Sequence, residues 1–334
     1  MKNVARAAWI LLLGGCIISE PGPLARYEFT EPHMGTKVRV VFYASSPEHA
    51  DEGRRAAFAV MKDVDDLMSD YKPDSELSRL SAAAGKGPQP VSPELFKVLS
   101  ASKWTARASD NAFDITIGPL VRLWRRSRKE LKLPTSEEIR NARALVDINA
   151  LVLNPERRTA ELLKPGMILD VGGIAKGYAC DEAIDALKKL GITRALIDTG
   201  GGMALGDPPP GKPGWRIGML GDSSKVLVLH NCGVSTSGDT EQFVEIDGVR
   251  YSHLIDPATG LGLTNQAMAT VIAKDGLTSD ALDTPICLMG AERGLKMAVD
   301  NGVEAWTQWV DGKRRRRAFT KRFPEYYAPD NGGD

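Results

Sequence analysis

The sequence predicts an α+β fold in which mixed, largely antiparallel sheets carry packed helices. Three observations lead there. Short alternating or β-branched stretches recur along the chain, amphipathic stretches of helical period lie between them, and many connections are hairpin-like. A doubly wound parallel sheet would instead place a helix after nearly every strand, and the GxGxxG fingerprint of dinucleotide-binding folds is absent from the sequence.

The N-terminus reads as an address. Lys2 and Arg6 precede the apolar run Ala7 to Leu13, and Gly14, Gly15 and Cys16 follow. The run is too short to span a bilayer comfortably. Residues 1–15 resemble a bacterial lipoprotein signal, whose cleavage leaves Cys16 as a lipidated N-terminus. That places the chain in the cell envelope, anchored to a membrane on the extracytoplasmic side. An ordinary signal peptide and an uncleaved anchor are the alternatives. Residues 16–26, with two prolines, read as a tether, and residues 27–330 as the folded domain.

Within that domain Val38–Tyr43 alternates as a strand should. Pro47–Met68 sets Ala57, Val60, Met61, Val64 and Leu67 along one helical side, and Pro93–Ser109 repeats the pattern. Leu145–Asn149, Thr159–Leu163 and Met167–Asp170 read as short strands. A helix over Asp181–Leu190 and a strand over Ala195–Asp198 come next. Further strands fall at Trp215–Met219, Val226–Leu229, Phe243–Ile246 and Ala269–Ala273. Ser279–Leu288 and Glu292–Asn301 are helical, with Pro285 bending or beginning the first.

Composition narrows the function. With 334 residues the chain can bury a large core, as one large domain or two intimate ones. Lys+Arg and Asp+Glu are both 43, so the balance gives no sign of nucleic-acid binding. Lys313–Arg317 is a local basic run, either a solvated strand or turn or a contact for anionic lipid. Cys180, Cys232 and Cys287 are far apart and odd in number, so they read as small buried apolar residues rather than a disulfide framework or zinc site.

The richest stretch runs from Leu169 to Gly206. A strand end at Asp170, a glycine turn, a helix, a strand and a second glycine turn bring a carboxylate, Lys176 and bare amides together, as a phosphorylated ligand requires. Asp280, Asp283 and Thr284 have i, i+3, i+4 spacing, which places three oxygen side chains on one helical face. Such a set suits Mg²⁺, and equally suits helix capping. His253, in a loop before Asp256-Pro257, is either a base for a hydroxyl nucleophile or a structural histidine. Tyr71 is a turn aromatic able to stack on a flat heterocycle or to pack within its loop. Asp114 in FDITIGP and Asp170 serve as ligand contacts or as turn caps.

Seven motifs carry a resemblance: MGT at Met34, YKPDSELS at Tyr71, FDITIGP at Phe113, LDVGGIAKGY at Leu169, TSGD at Thr236, YSHLIDPATG at Tyr251 and SDALDT at Ser279. In this order, over roughly residues 30–310, they resemble the ApbE family of FAD:protein FMN transferases. The resemblance implies a T-fold-related architecture. It also implies an enzyme that cleaves FAD and attaches FMN through a phosphoester to a threonine or serine of another protein, releasing AMP. Carried over residue by residue, Gly173, Asp280, Asp283 and Thr284 would hold Mg²⁺. Met34, Tyr71, Ala112, Phe113, Asp114, Asp170, Lys176 and Leu254 would line the FAD site, and His253 would activate the acceptor hydroxyl. The partner would be an exported redox protein. A Mg²⁺-dependent FAD pyrophosphatase and a non-catalytic FAD-binding lipoprotein are the competing readings. One departure is the second glycine turn, where Met203 stands in place of the family's asparagine.

Overall fold

The alternation at Val38–Tyr43 becomes a strand with two covered faces. Val38, Val40 and Phe42 enter one core and Val41 enters another, so the strand lies in a sheet between two layers. The structure is a computed structural model that describes residues 23–239 and 242–329. Eight strands form its main sheet: β1 (Ala25–His33), β2 (Thr36–Ala44), β3 (Ala195–Asp198), β4 (Gly202–Leu205), β5 (Cys232–Gly238), β6 (Met268–Ala273), β7 (Glu304–Asp311) and β8 (Arg314–Phe319). Their order in space is their order in the chain, and every neighbouring pair is antiparallel. The fold is therefore an α+β meander with long excursions.

The largest excursion, between β2 and β3, supplies α1 (Pro47–Met68), α2 (Glu76–Ala82), α3 (Pro93–Ala108), α4 (Gly118–Glu130), α5 (Ser136–Arg143) and α6 (Ala175–Lys189). A hairpin at Trp215–Leu229 covers the opposite face, where Trp215, Leu227 and Leu229 meet Val41, Leu196 and Trp306. Two small hairpins, Phe243–Ser252 and Ile255–Gly262, stand between β5 and β6. α7 (Gly276–Asp300) then links β6 to β7 and packs on α6 and β5.

Helix starts follow local chemistry where a polar cap precedes them. Ser46 accepts the His49 N–H ahead of α1 and Ser92 accepts the Leu95 N–H ahead of α3, each with proline in the first turn. α6 has no such cap, whereas α7 has its own, Asp275 accepting the Thr278 N–H at 2.7 Å. They cross at Gly177 and Gly276, where a Cβ on Gly177 would lie 2.1 Å from the Gly276 carbonyl oxygen. At that crossing each helix also caps the other. Asp181 of α6 accepts the Gly276 and Leu277 N–H groups at 2.7 and 2.8 Å, and Asp280 of α7 accepts the Gly177 N–H at 2.8 Å.

Several expected boundaries are corrected. β1 begins at Ala25, inside the segment expected to be tether, because Ala25 pairs with Ala44. The signal segment 1–15 and Cys16 lie outside the described residues. Leu145–Asn149 is not a strand: Asp147 N–H donates to Thr116 Oγ1 and Ile148 N–H to Asp114, which closes a 3₁₀ turn at Ile148–Ala150. The strand there is Leu151–Asn154, paired with Thr159–Leu162. Met167–Asp170 contributes only a single parallel bridge, Ile168 to Ile117. α6 starts at Ala175, six residues before the expected Asp181. α7 runs through Pro285 and breaks at Gly290, φ 76°, so the two helices expected at Ser279–Leu288 and Glu292–Asn301 stand on either side of that kink. Arg314–Arg317 form an exposed part of β8, and the three cysteines are free.

Candidate active site

The first glycine turn, Gly172-Gly173, leads into α6, whose start lacks a side-chain cap of its own. Asp170 opens that turn by accepting the Gly172 N–H at 2.9 Å. Gly173 lies between the ring of Phe113 and the hydroxyl of Thr284: a Cβ there would come within 3.1 Å of Phe113 Cε2 and 3.7 Å of Thr284 Oγ1. Glycine is the residue that permits this approach.

α7 presents Asp280, Asp283 and Thr284 to the same point, as their spacing requires. Both carboxylates are buried. Ser235 Oγ lies 3.2 Å from Asp280 Oδ1 and 2.7 Å from Asp283 Oδ2, yet a hydroxyl has one proton to donate. Thr284 Oγ1 is likewise shared, 3.2 Å from Asp283 Oδ1 and 3.1 Å from Ser237 Oγ. With both carboxyls ionised the cluster is rich in acceptors and short of donors. Among the described residues no Lys or Arg pairs with either carboxylate within 4.0 Å. Burial pushes both carboxyls above the ordinary range; for Asp283 the neighbouring Asp280 charge adds to it, and the Lys176 charge opposes the rise in both.

A hard divalent cation suits this set. Two carboxylates, a hydroxyl and the nearby Gly173 backbone offer oxygen ligands only, and no third His, Cys, Asp or Glu joins them among the described residues. The remaining positions would go to water or phosphate oxygens, which is how Mg²⁺ is held.

Lys176 sits in the first turn of α6, and a Cβ on Gly201 would lie 3.7 Å from its Nζ. The second glycine turn is firmly tied despite Met203. Asp198 Oδ1 accepts the Gly200 N–H at 2.8 Å, Thr199 Oγ1 donates to the Gly202 carbonyl at 2.9 Å, and Thr236 N–H donates to the Gly201 carbonyl at 2.8 Å. Gly200 has φ 76°, and a side chain there would also press on Thr36. The β1–β2 hairpin, turning through Met34 and Gly35 at φ 51° and 71°, is thereby brought to the site.

His253 follows the Phe243–Ser252 hairpin, which Arg250 fastens to β5 through Asp239 at 3.0 Å. Its backbone N–H and its ring Nδ1 both meet the Gln242 carbonyl, at 3.0 and 3.1 Å. A carbonyl only accepts, so Nδ1 carries the proton and Nε2 keeps its lone pair. Burial lowers the ring's pKa below its ordinary 6.5, and the charges of Lys176 and Arg128 lower it further.

Tyr71 stands in the turn after α1 with 75% of its surface exposed. The Arg125 guanidinium lies 4.0 Å from its ring centroid. Arg125 also reaches Asp70 at 2.5 Å and Asp170 at 3.5 Å. Burial, followed by the charge of Asp70, raises the Asp170 carboxyl.

Contacts therefore run from Tyr71 through Arg125, Asp170 and the Gly173 turn to Thr284, Asp283, Asp280 and Lys176. Asp114 stands apart from that line. Its oxygens accept Thr116 N–H, Thr116 Oγ1 and Ile148 N–H at 2.8, 2.7 and 3.0 Å, so it organises the loop that carries Ala112 and Phe113. It also borders a cavity of about 590 Å³ shared with Asn111, Arg143, Asp147 and Pro257. Leu254 is buried, and its N–H and carbonyl are engaged by Ser252 and Leu263. Ser235 and Ser237, in the segment that holds the TSGD motif, were given no role, and Arg125 was not foreseen. For the serines a signal existed, since alternate positions of one strand share a face; for Arg125 none did.

Comparison with known proteins gives the family and the fold. Residues 34–307 match the ApbE family. A Vibrio cholerae FAD:protein FMN transferase is 33% identical over 317 residues, covering 91% of this chain and 92% of that protein. An Escherichia coli K12 protein of the same name is 29% identical over 97% of both chains. Among solved structures, the Vibrio cholerae flavin transferase ApbE superposes with a TM-score of 0.82 at 28% identity, covering 91% of this chain and all of that one. The apo form of Pseudomonas stutzeri flavinyl transferase ApbE gives 0.80 at 32% identity, covering 91% and 97%. The chain belongs to the ApbE family.

Proposed function

We propose that the chain transfers FMN from FAD to a threonine or serine hydroxyl of an exported redox protein and releases AMP. The observation that carries this reading is the acceptor-rich cluster of Asp280, Asp283, Ser235 and Thr284, set beside Lys176, whose charge also acts on His253. His253 Nε2 has no hydrogen-bond partner among the described residues. The names of the relatives support the flavin chemistry.

Asp280, Asp283, Thr284 and the Gly173 carbonyl would hold Mg²⁺. When bound, the ion offsets the charge of a pyrophosphate and fixes its orientation. Lys176, in the first turn of α6, would face the same phosphates with a point charge. The exposed ring of Tyr71 offers a stacking face to a flat ring of FAD. In the transfer, the acceptor oxygen bonds to the flavin-side phosphorus, the pyrophosphate P–O bond breaks, AMP leaves, and His253 Nε2 takes the hydroxyl proton. Phosphoryl-type transfer relies on position and charge more than on covalent catalysis, and Cys180, Cys232 and Cys287 fit that: burial pushes the Cys232 thiol up to about 12 and the other two well above their ordinary value.

The test is AMP release from FAD with and without an acceptor protein. Release that needs both Mg²⁺ and acceptor is expected, with EDTA abolishing it. Equal release of AMP and free FMN without acceptor would make the chain a pyrophosphatase, and intact FAD would make it a binding protein. For Cys16 we propose a lipid anchor, supported by the charged, apolar and small-residue sequence before it. Cys16→Ala should move the chain from the membrane to the soluble fraction of lysed cells; unchanged membrane association would refute the anchor.

A further inference from the structure

We infer that Arg125 is a positioning residue that holds Tyr71 as a ready-made stacking platform for a flat ring of FAD; this rests on the transferase reading above. Tyr71 projects from a turn, and its own N–H bond to Ser69 Oγ, at 3.4 Å, is weak. A solvent-exposed tyrosine held only in that way would sample several rotamers and lose that freedom on binding a ligand. Arg125 removes the freedom beforehand. Its guanidinium covers one face of the ring at 4.0 Å, while Asp70 at 2.5 Å and Asp170 at 3.5 Å fix the guanidinium from its rim. The other face of Tyr71 is left for a ligand.

The same guanidinium joins two parts of the site that are far apart in sequence. Asp170 gives its other oxygen to Gly172 N–H at 2.9 Å, and Gly173 follows beside Thr284. Arg125 comes from the middle of α4, a rigid element, and so sets the distance between the stacking platform and the phosphate-facing turn. Only arginine does both tasks. Lysine can pair with the carboxylates, but it has no plane to lie against the ring.

Arg125→Lys therefore separates stacking from charge. FAD affinity of the full chain is read by quenching of flavin fluorescence in EDTA, and KM and kcat with Mg²⁺ and acceptor. Arg125→Lys should leave the melting temperature unchanged and weaken FAD binding about three- to tenfold. KM should rise with it while kcat at saturating FAD stays put, and the quenching of bound flavin should lessen. In a Tyr71→Ala background the same change should add less than about twofold, because the platform is already gone. Unchanged affinity in Arg125→Lys, or effects of the two substitutions that simply multiply, would overturn the inference while leaving the transferase reading intact. A wild-type chain that binds no FAD would overturn both.

Discussion

His253 shows how much a single hydrogen bond decides. Held on the Gln242 carbonyl through Nδ1, it leaves Nε2 for the proposed role of base, and burial lowers its pKa below the ordinary 6.5, toward the neutral form. His253→Ala should cut the transfer rate about 10²–10⁴-fold while FAD affinity changes little; an equal loss of both would make it a binding residue. The sign of the pH dependence follows. A base with a pKa below 6.5 works above that value and fails as pH falls through it, so the acid limb of kcat/KM should lie below pH 6.5. Lys176→Met removes a positive charge that opposes the imidazolium, so that limb should move upward; an unmoved limb would separate the two residues. At this scale the sequence was informative where motifs were dense. His253, Lys176, Asp280, Asp283 and Thr284 could be named from spacing and resemblance. Arg125 could not, because Asp70 and Tyr71 lie more than fifty positions away and nothing in the helix that carries it marks a partner.

At the scale of elements, the α6–α7 crossing is the part on which the site depends most. Gly177 allows the helices to touch, and its N–H carries Asp280. Gly177→Ala would drive a methyl into the Gly276 carbonyl, so it should destabilise the fold by about 1–3 kcal/mol or more. It should also weaken Mg²⁺-dependent turnover beyond what the lost stability explains. Denaturant titration and Mg²⁺ dependence measured together check this, and a variant as stable and as active as the parent would refute the clasp. The crossing also explains why the start of α6 was misplaced. The usual signal is a polar cap just ahead of the helix, but here Ile174 precedes it and the capping oxygen comes from Asp280, a hundred positions on. Leu145–Asn149 failed for a similar reason, since Asp114 and Thr116 draw its amides into a turn. α1, by contrast, was legible to the residue because Ser46 and Pro47 mark its start and its apolar side is continuous.

For the whole molecule, the sheet is a device for gathering one end of many strands. Because β1 to β8 follow chain order, the turns at Met34-Gly35 and Gly200-Gly202 and the serines of β5 converge without any crossing connection. Residues 45–194 leave the sheet and return with α6 already against its face. The α+β class was legible from hairpin-like connections and the two periodicities. The chain-order meander was not, since β2 and β3 are separated by six helices and their pairing is set by two cores rather than by a turn. That architecture gathers the proposed cation cluster of Asp280 and Asp283, Lys176, His253 and the Tyr71–Arg125 pair, and the central claim is that they join FMN covalently to another protein. The most direct measurement is the intact mass of an acceptor redox protein, under denaturing conditions, after incubation with the chain, FAD and Mg²⁺. The account predicts a gain equal to FMN less one water, lost when the acceptor threonine becomes alanine. An acceptor of unchanged mass alongside free FMN and AMP would contradict it.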